Sequence, residues 1–594
     1  MTPPPDDDIA ARLEEFADRL AARGVEYKPR VYRRAAENVR DHPASVVELA
    51  ADGEDAVTAV EGVGDAIAAK VVEYVETGRI DELAELRADL PVEMDELTRV
   101  EGVGPKTVGT LYEELGVRTI DDLATAAENG EIREVSGFGA KTEENILANL
   151  EFAREAARRE LLGEARPRGE AVVDYLDGQS AVRRVTLAGS IRRWRPTIGD
   201  VDVLVGSDDS GTAVEAFTGW PAADAVIEAG DQKASVRAGG VRVDLRVVVP
   251  SEFGAALQYF TGSKDHNVAL RNRAIERDLK MNEYGVFDVG EAETASEDPA
   301  TSGDDGSDAG QRAGRRVAGE TEAGMYAALD LPWIAPELRE KSGEIEAAAD
   351  DSLPDLVPEE AVRGDLHVHT EWSDGGNSVA EMVAGASAFG HDYVGITDHA
   401  TGPGMVGGVG VTDAALREQL TEIRAVADDA AIDVFAGVEA NVGTDGDVSV
   451  DEAVLADLDL VVASPHAGLD GDGTDRLVAA ARHPEVDVIG HPTGRDLDRR
   501  SGLDLDVERL ASVAADHDTA LEVNANPARL DLGGRAVESA VEAGATVAVN
   551  TDAHRPERYE LLRYGVHTAR RGWAETGDVL NTRDADGVRE FLEA

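Results

Sequence analysis

Cysteine is absent from this chain. That excludes a disulfide framework and any thiolate metal site, so a metal could be held only by His, Asp and Glu. Lysine is nearly as scarce: eight of the 58 basic residues are Lys, and 119 acidic residues bring the formal net charge to -61. Positive charge, the usual means of gripping nucleic-acid phosphates, is in short supply. Aromatic residues make up only 4%. No apolar run approaches the roughly 18 residues of a membrane-spanning helix, and no charged-then-apolar leader is visible. The expectation is a cytoplasmic protein without membrane contact.

What the chain does contain is length and apolar content. Its 594 residues, 42% of them hydrophobic, suggest three to five domains with sizeable cores. The acidic, Lys-poor composition resembles that of extreme halophiles, where molar salt shortens the Debye length to about 3 Å and screens self-repulsion. The charge is therefore read as habitat rather than partner.

From Asp8 to about Arg87 the spacing predicts helices, as in "IAARLEEFADRLAA". Three related segments lie within and beyond this region: Val60–Lys70 with Gly62 and Gly64, Val100–Thr110 with Gly102 and Gly104, and Val135–Asn145 with Gly137 and Gly139. Each is a Gly-apolar-Gly turn running into a helix, which presents backbone N–H groups to a phosphate oxygen. They resemble helix-hairpin-helix motifs, which hold DNA by its backbone. A strand-rich region is expected from about Val172 to Val249. Val289–Gly314 reads as a disordered acidic insertion, and Glu344–Gly364 as a linker with some helix. From Asp365 onward short apolar strands ("YVGIT", "DVFAGV", "LDLVVAS", "VDVIG", "ALEVN", "TVAVN") alternate with amphipathic helices. This rhythm predicts a parallel α/β barrel or doubly wound sheet.

Two constellations carry chemistry. In "LAGSIRRWRPTIGDVDVLV", Asp200 and Asp202 stand at i and i+2 of a strand and share a face, while Asp244 lies in a second alternating strand, "VRVDLRVVV". Carboxylates from adjacent strands make a hard-oxygen site suited to Mg or Mn. The arrangement resembles the nucleotidyltransferase superfamily, and "YFTGSKDHNVALR" narrows the resemblance to the family X DNA polymerases. The resemblance implies two ions on Asp200, Asp202 and Asp244, with Ser190 and Arg193 on the triphosphate. It also implies Tyr259, Phe260 and Gly262 beside the incoming sugar, Asn267 and Arg271 in the minor groove, and Arg242 near the primer end. Lys264 and Ile198 depart from the family pattern. "YKPRVYRRAAENV" resembles that family's lyase domain, which implies Lys28 and Tyr32 at a 5′-phosphate and Lys70 as a Schiff-base nucleophile. Such a lysine needs a lowered pKa.

The second constellation begins at "DLHVHT", where His367 and His369 again share a strand face. Asp374 follows, and later strands deliver His399, Glu439, His466, His491, Asp552 and His554 at or just past their C-terminal ends. In a (β/α) barrel those ends converge. Nine ligands are too many for one ion. The pattern resembles the PHP (polymerase and histidinol phosphatase) family of metal-dependent phosphoesterases, which implies a distorted seven-stranded barrel. It further implies up to three Mn or Zn ions: one on His367, His369, Glu439 and Asp552, a second bridged by Glu439 to His466 and His491, and a third on Asp374, His399 and His554.

Together these features are similar to family X polymerases that carry a C-terminal PHP domain. The implied order is a helical lyase-like domain with the first hairpin motif (1–90) and a fingers-like helix-hairpin-helix domain (91–165). An α+β nucleotidyltransferase palm (166–258) and a thumb-like domain (259–343) follow, then the linker (344–362) and the PHP barrel (363–594). The implied function is filling of short gaps in primer-template DNA from dNTPs, with a 3′→5′ exonuclease, and lyase or abasic-site activity as extras, in a monomer. Three rivals are a DNA-tethered phosphoesterase without polymerase activity, a tRNA-type nucleotidyltransferase and a non-enzymatic DNA scaffold. The hairpin motifs and "YFTGS" argue against the second.

Overall fold

A computed structural model of the chain describes residues 6–25, 28–41, 46–51, 53–60, 62–98, 100, 103–144, 146–147, 150, 159–289, 311–404, 409–497 and 502–594. The front of the chain is helical, as the periodicity predicts. Helices Asp6–Ala22, Lys28–Asp41, Asp65–Thr77 and Asp81–Asp89 close over one core that includes Leu13, Phe16 and Val71. A second core, with Leu97, Leu111 and Leu123, is built around helices Pro105–Leu115 and Ile120–Glu128. The two units touch where a Cβ on Gly109 would overlap the carbonyl oxygen of Ala22, so only glycine permits that approach.

The strand-rich region starts later than expected. Val172 lies inside helix Leu162–Asp177, whose buried Leu162, Ala165, Val172 and Leu176 pack under the sheet. Strands β1 (Arg184–Leu187), β2 (Val201–Gly206), β3 (Ala225–Ala229), β4 (Lys233–Ala238) and β5 (Val241–Val248) form one sheet in the order β1-β2-β5-β4-β3. Alternation sets its faces. Val201, Val203 and Val205 of β2 and Val243, Leu245 and Val247 of β5 enter the core, while Leu204 packs toward helix Phe253–Thr261. Beyond it, strands Leu279–Asn282, Gly285–Asp288 and Arg315–Ala318 make a three-stranded antiparallel sheet. The acidic insertion expected between the last two falls, over residues 290–310, outside the described residues.

The segment expected to be a linker is built into the molecule. Glu344 opens a short helix and is fully buried, its carboxylate accepting from His266 Nδ1 at 2.5 Å. Val357 is buried in the core of the C-terminal region.

That region is a parallel barrel of β6 (Gly364–Val368), β7 (Tyr393–Ile396), β8 (Asp433–Asn441), β9 (Leu460–Ser464), β10 (Val488–Ile489), β11 (Ala520–Asn524) and β12 (Val547–Asn550), in sequential order. β12 returns to β6: Leu366 N donates to Asn550 Oδ1 at 3.0 Å and His369 N to Ala553 O at 2.9 Å, so closure is nearly complete. Leu366, Tyr393, Leu460, Val488 and Ala520, near the N-terminal ends of their strands, pack with Leu580, Val588 and Phe591. The C-terminal helix Ala585–Leu592 thus stoppers that end and leaves the other for chemistry.

Palm and barrel share a core. Leu530, Leu561 and Tyr564 of the barrel belong to the same buried cluster as Ile191, Trp194 and Val201 of the palm. Trp194 stacks on His567 with ring centroids 3.6 Å apart, and His567 bonds Glu337 and Glu359 at 2.6 and 2.8 Å.

Candidate functional sites: a carboxylate cluster on the palm and a histidine cluster in the barrel

β2 and β5 run parallel with Asp202 directly beside Asp244, and Asp200 precedes β2 on the same face. Burial, reinforced by Asp200 and Asp244, pushes the Asp202 carboxyl up to about 8, and burial with Asp244 raises Asp200 as well. Carboxylates that repel one another in this way fit a divalent cation, which would relieve the repulsion. Gly189 holds a φ of 62°, and a Cβ there would overlap the Asp202 carboxylate. Glycine is what lets the turn before Ser190 close over the acid. Arg242 Nε donates to Asp244 Oδ1 at 2.8 Å. Ser235, opposite Asp244 on β4, donates its hydroxyl to the same carboxylate.

The other residues predicted for this site lie close by in the fold. Arg193 donates from Nε to Glu340 at 2.9 Å and from Nη1 to Thr261 O at 2.7 Å. Tyr259 and Phe260 close helix Phe253–Thr261 with their rings edge-on at 5.2 Å. Gly262 ends that helix and Ser263 caps the next, Lys264–Ile275, which carries Asn267 and Arg271. The Asn267 amide faces inward, donating to Tyr259 O at 2.6 Å and accepting from Gln258 at 2.9 Å.

At the front of the chain, Gly64 and Gly104 are the N-caps of helices Asp65–Thr77 and Pro105–Leu115, with no side-chain cap and open space beside them. Gly62 and Gly137 have φ of 75° and 94°. Gly139 O accepts from Thr142 N at 2.9 Å as the third helix begins. Gly102 lies outside the described residues. Lys28 is exposed, and Tyr32 stacks on Phe16 at 4.5 Å. Lys70 departs from expectation. Burial pushes its amine down, but a 2.7 Å ion pair with Glu82, with Tyr32 adding to it, raises it above the ordinary value.

In the barrel all nine predicted ligands surround one another. Glu439, fully buried on β8, is the hub: its Oε1 lies 3.4 Å from His367 Nε2, 3.3 Å from His466 Nε2 and 2.9 Å from His491 Nε2. Its Oε2 lies 3.8 Å from His369 Nε2 and contacts His399 Nδ1. His369 Nε2 also meets Asp552 Oδ1 at 3.0 Å, while Asp374 faces His554 at 3.2 Å and His399 at 3.7 Å nearer the mouth. Burial alone would raise Glu439, but His399, His466 and His367 hold its carboxylate well below the usual range. Among the described residues three sets gather their ligand atoms within 4.8 Å: His369-Asp374-His399-His554, His367-His369-Glu439 and His399-Glu439-His466. The sets overlap at His369, His399 and Glu439, and Glu439 belongs to two of them. The buried Nδ1 atoms of His369, His466 and His491 have no hydrogen-bond partner among the described residues. Crowded imidazoles and carboxylates of this kind fit metal ions.

Family patterns match in the same places. A helix-hairpin-helix domain matches residues 4–80, a SAM-like helix-hairpin-helix tandem 94–151, the DNA polymerase beta thumb 256–340 and the PHP domain 365–525. The chain is 34% identical to "DNA polymerase/3'-5' exonuclease PolX" of Bacillus subtilis (strain 168), over 99% of each protein. It belongs to the PolX family. Two further likenesses are more partial. DNA polymerase lambda of Rattus norvegicus is 26% identical over 47% of the chain and 48% of its own length. A probable phosphatase of Caldicellulosiruptor saccharolyticus is 32% identical over 32% of the chain and 79% of its own length.

Sequence reading missed several residues of this PolX-family site. Glu522, fully buried on β11, bonds His367 Nδ1 at 2.8 Å and accepts from His491 N at 2.6 Å. It stands in "ALEVN", and the strand-face logic that found His367 would have found it. Asp398 accepts from Thr370 N at 2.8 Å and Thr370 Oγ1 at 2.7 Å, which fixes the end of "DLHVHT". Arg529, 3.8 Å from Asp552, lines the cavity of about 280 Å³ at the mouth, and no local motif marks it. Among the described residues no helix is long and apolar enough to cross a membrane.

Proposed function

We propose that the chain is a DNA polymerase that fills short gaps by adding dNTPs at a primer 3′-hydroxyl, and that its barrel is a 3′→5′ exonuclease. The observation that supports this most is the presence, in a full-length PolX relative, of two separate ligand clusters of different chemistry. Asp200, Asp202 and Asp244 would hold two Mg or Mn ions, and the barrel set would hold up to three Mn or Zn ions. When bound, such ions neutralise the entering and leaving oxygens of a phosphoryl transfer and make a nucleophile available at neutral pH.

The chain's own residues position these groups. Arg242 and Ser235 fix the Asp244 carboxylate, and Gly189 lets the Ser190 turn lie over Asp202. Ser190 and Arg193 take the triphosphate, Arg193 exchanging its bond to Glu340 for a phosphate oxygen. Tyr259, Phe260 and Gly262 bound the sugar, and Arg271 and Asn267 follow the minor groove once Asn267 turns outward. The three hairpin turns track the DNA backbone through their helix N-termini. In the barrel, Glu522 holds the His367 ring so that Nε2 faces Glu439. Arg529 at the mouth offers a guanidinium to the phosphate being cleaved. Lys28, Tyr32 and Lys70 would serve a lyase step only if Lys70 sheds its pairing with Glu82. We take the working unit to be a monomer.

The test is a gapped primer-template assay in high KCl with Mn²⁺, with and without dNTPs. Asp202→Ala abolishes extension and spares degradation, and His369→Ala does the reverse. No extension by the wild type, with Asp202→Ala changing no activity, would leave the DNA-tethered phosphoesterase reading, and extension that survives Asp202→Ala would remove the palm acids from catalysis. Loss of both activities in both variants would sink the two-site division. Purified protein without any bound transition metal would count against the nuclease.

A further inference from the structure

An arginine-lined recess lies at neither cluster. A cavity of about 330 Å³ lies where palm meets barrel, and its lining includes Arg195, Arg495, Arg535 and Arg571 but no carboxylate among the described residues. In a chain with about two acidic residues for each basic one, that composition calls for an anion. Two carboxylates beside the cavity are already engaged: buried Asp531 accepts from Thr493 N at 3.1 Å and attracts Arg495, and Glu340 is shared. Glu340 pairs with Arg193 at 2.9 Å, Arg195 at 3.6 Å and Arg571 at 3.4 Å, one negative charge among three guanidinium groups. Arg495 donates to the carbonyl oxygens of Arg529, at 2.7 Å, and Leu530. Exposed Arg535 has no ion pair among the described residues.

The remaining wall also donates. The nine-residue helix Gly534–Glu542 begins here, its N-cap Gly533 supplies no side-chain cap, and Gly534, Arg535 and Ala536 face the cavity. Its first N–H groups and the positive end of its dipole therefore point inward. A Cβ on Gly533 would come within 2.8 Å of Arg495 Nη1, so glycine brings that guanidinium against the helix start. Pro196, Leu530 and Ala536 add an apolar side, and the volume exceeds what a bare phosphate needs. The cavity shares no lining residue with the one at the histidine cluster.

We propose that this cavity binds the phosphate of a mononucleotide, at a site distinct from both candidate centres. Its occupant would bridge the palm turn that carries Arg193 and the barrel loop that follows His491. The inference does not depend on which reactions the chain catalyses.

The test is equilibrium dialysis of the full chain with radiolabelled dAMP, in chelator to remove metal-dependent nucleotide binding and at fixed KCl. Unlabelled dAMP, dATP, inorganic phosphate, sulfate and a single-stranded oligonucleotide serve as competitors. Saturable binding at one site is expected, weakened about tenfold by Arg535→Gln, the loss of one charge-assisted contact. Arg495→Gln combined with Arg535→Gln removes it. Stronger competition by dATP assigns the site to a triphosphate, and stronger competition by dAMP to a monophosphate; either supports the proposal. Equal binding by wild type and Arg535→Gln, no saturable binding, or sulfate or inorganic phosphate competing as well as dAMP overturns it. Displacement by the oligonucleotide without displacement by mononucleotides would make the cavity a strand path and also overturn it.

Discussion

The palm cluster and the barrel cluster both use carboxylates, in opposite electrostatic settings. On the palm, burial and mutual repulsion drive Asp202 up to about 8, and only arginines at the edge oppose them. In the barrel, five histidines surround Glu439 and hold it ionised. In the barrel, three overlapping sets of ligand atoms each lie within 4.8 Å of one another. The palm carboxylates repel one another, and a divalent cation would relieve that repulsion. The barrel set offers nitrogen and oxygen donors together, and the palm set offers hard oxygens alone.

Glu522→Gln should sharpen that contrast most. Removing the charge behind His367 is expected to weaken resident metal binding by about 10–100-fold, measured by metal analysis and chelator competition, while extension is unchanged. A parallel loss of extension would break the comparison. Gly189→Ala should act on the palm alone. A φ of 62° strains any other residue by about 1–3 kcal/mol, and the new methyl displaces Asp202. Extension is expected to fall by about tenfold or more with degradation intact, and an undiminished extension rate would show that the turn has room to shift.

A third measurement is pH-dependent. The folded chain holds a proton on Asp202 that the unfolded chain releases near the ordinary aspartate value of 3.8, so metal-free protein loses stability as pH rises from about 4 to about 8. Glu439 contributes with the opposite sign, since its lowered value stabilises the fold above the ordinary carboxylate range. Melting in chelator across that window should show Asp202→Asn gaining on wild type as pH rises, a gap that Mg²⁺ closes. A constant gap would mean that burial and the neighbouring acids do not hold a proton on Asp202. The smallest effect concerns Lys70, which is protonated at neutral pH beside Glu82. Borohydride trapping of an abasic 5′-end should be weak in wild type and increase in Glu82→Gln, and equal trapping would remove Glu82 from the lyase question.

Much of this architecture was legible before the fold was described. The seven barrel strands are short apolar runs, and the ligands sit at or beyond their ends because the fold gathers those ends on one side. The palm acids were legible through the period of two along a strand. What escaped depended on elements distant in sequence. Glu340 occupies Arg193, Glu82 occupies Lys70, and Glu344 meets His266; none of these pairings has a local signature. Val172 was read as strand because apolar residues at the end of helix Leu162–Asp177 adjoin the run into β1. The segment at 344–362 was read as a linker from its acidic, proline-containing composition, yet Glu344 and Val357 are buried through contacts that only docking of neighbouring elements creates.

The core shared by palm and barrel has a practical consequence. Cutting the chain before β6 would strip Leu530, Leu561 and Tyr564 from the cluster that also holds Trp194, and would leave that face of the palm bare. An engineer who wants extension without degradation therefore cannot obtain it by deletion. The barrel must be kept whole and disarmed at a single ligand.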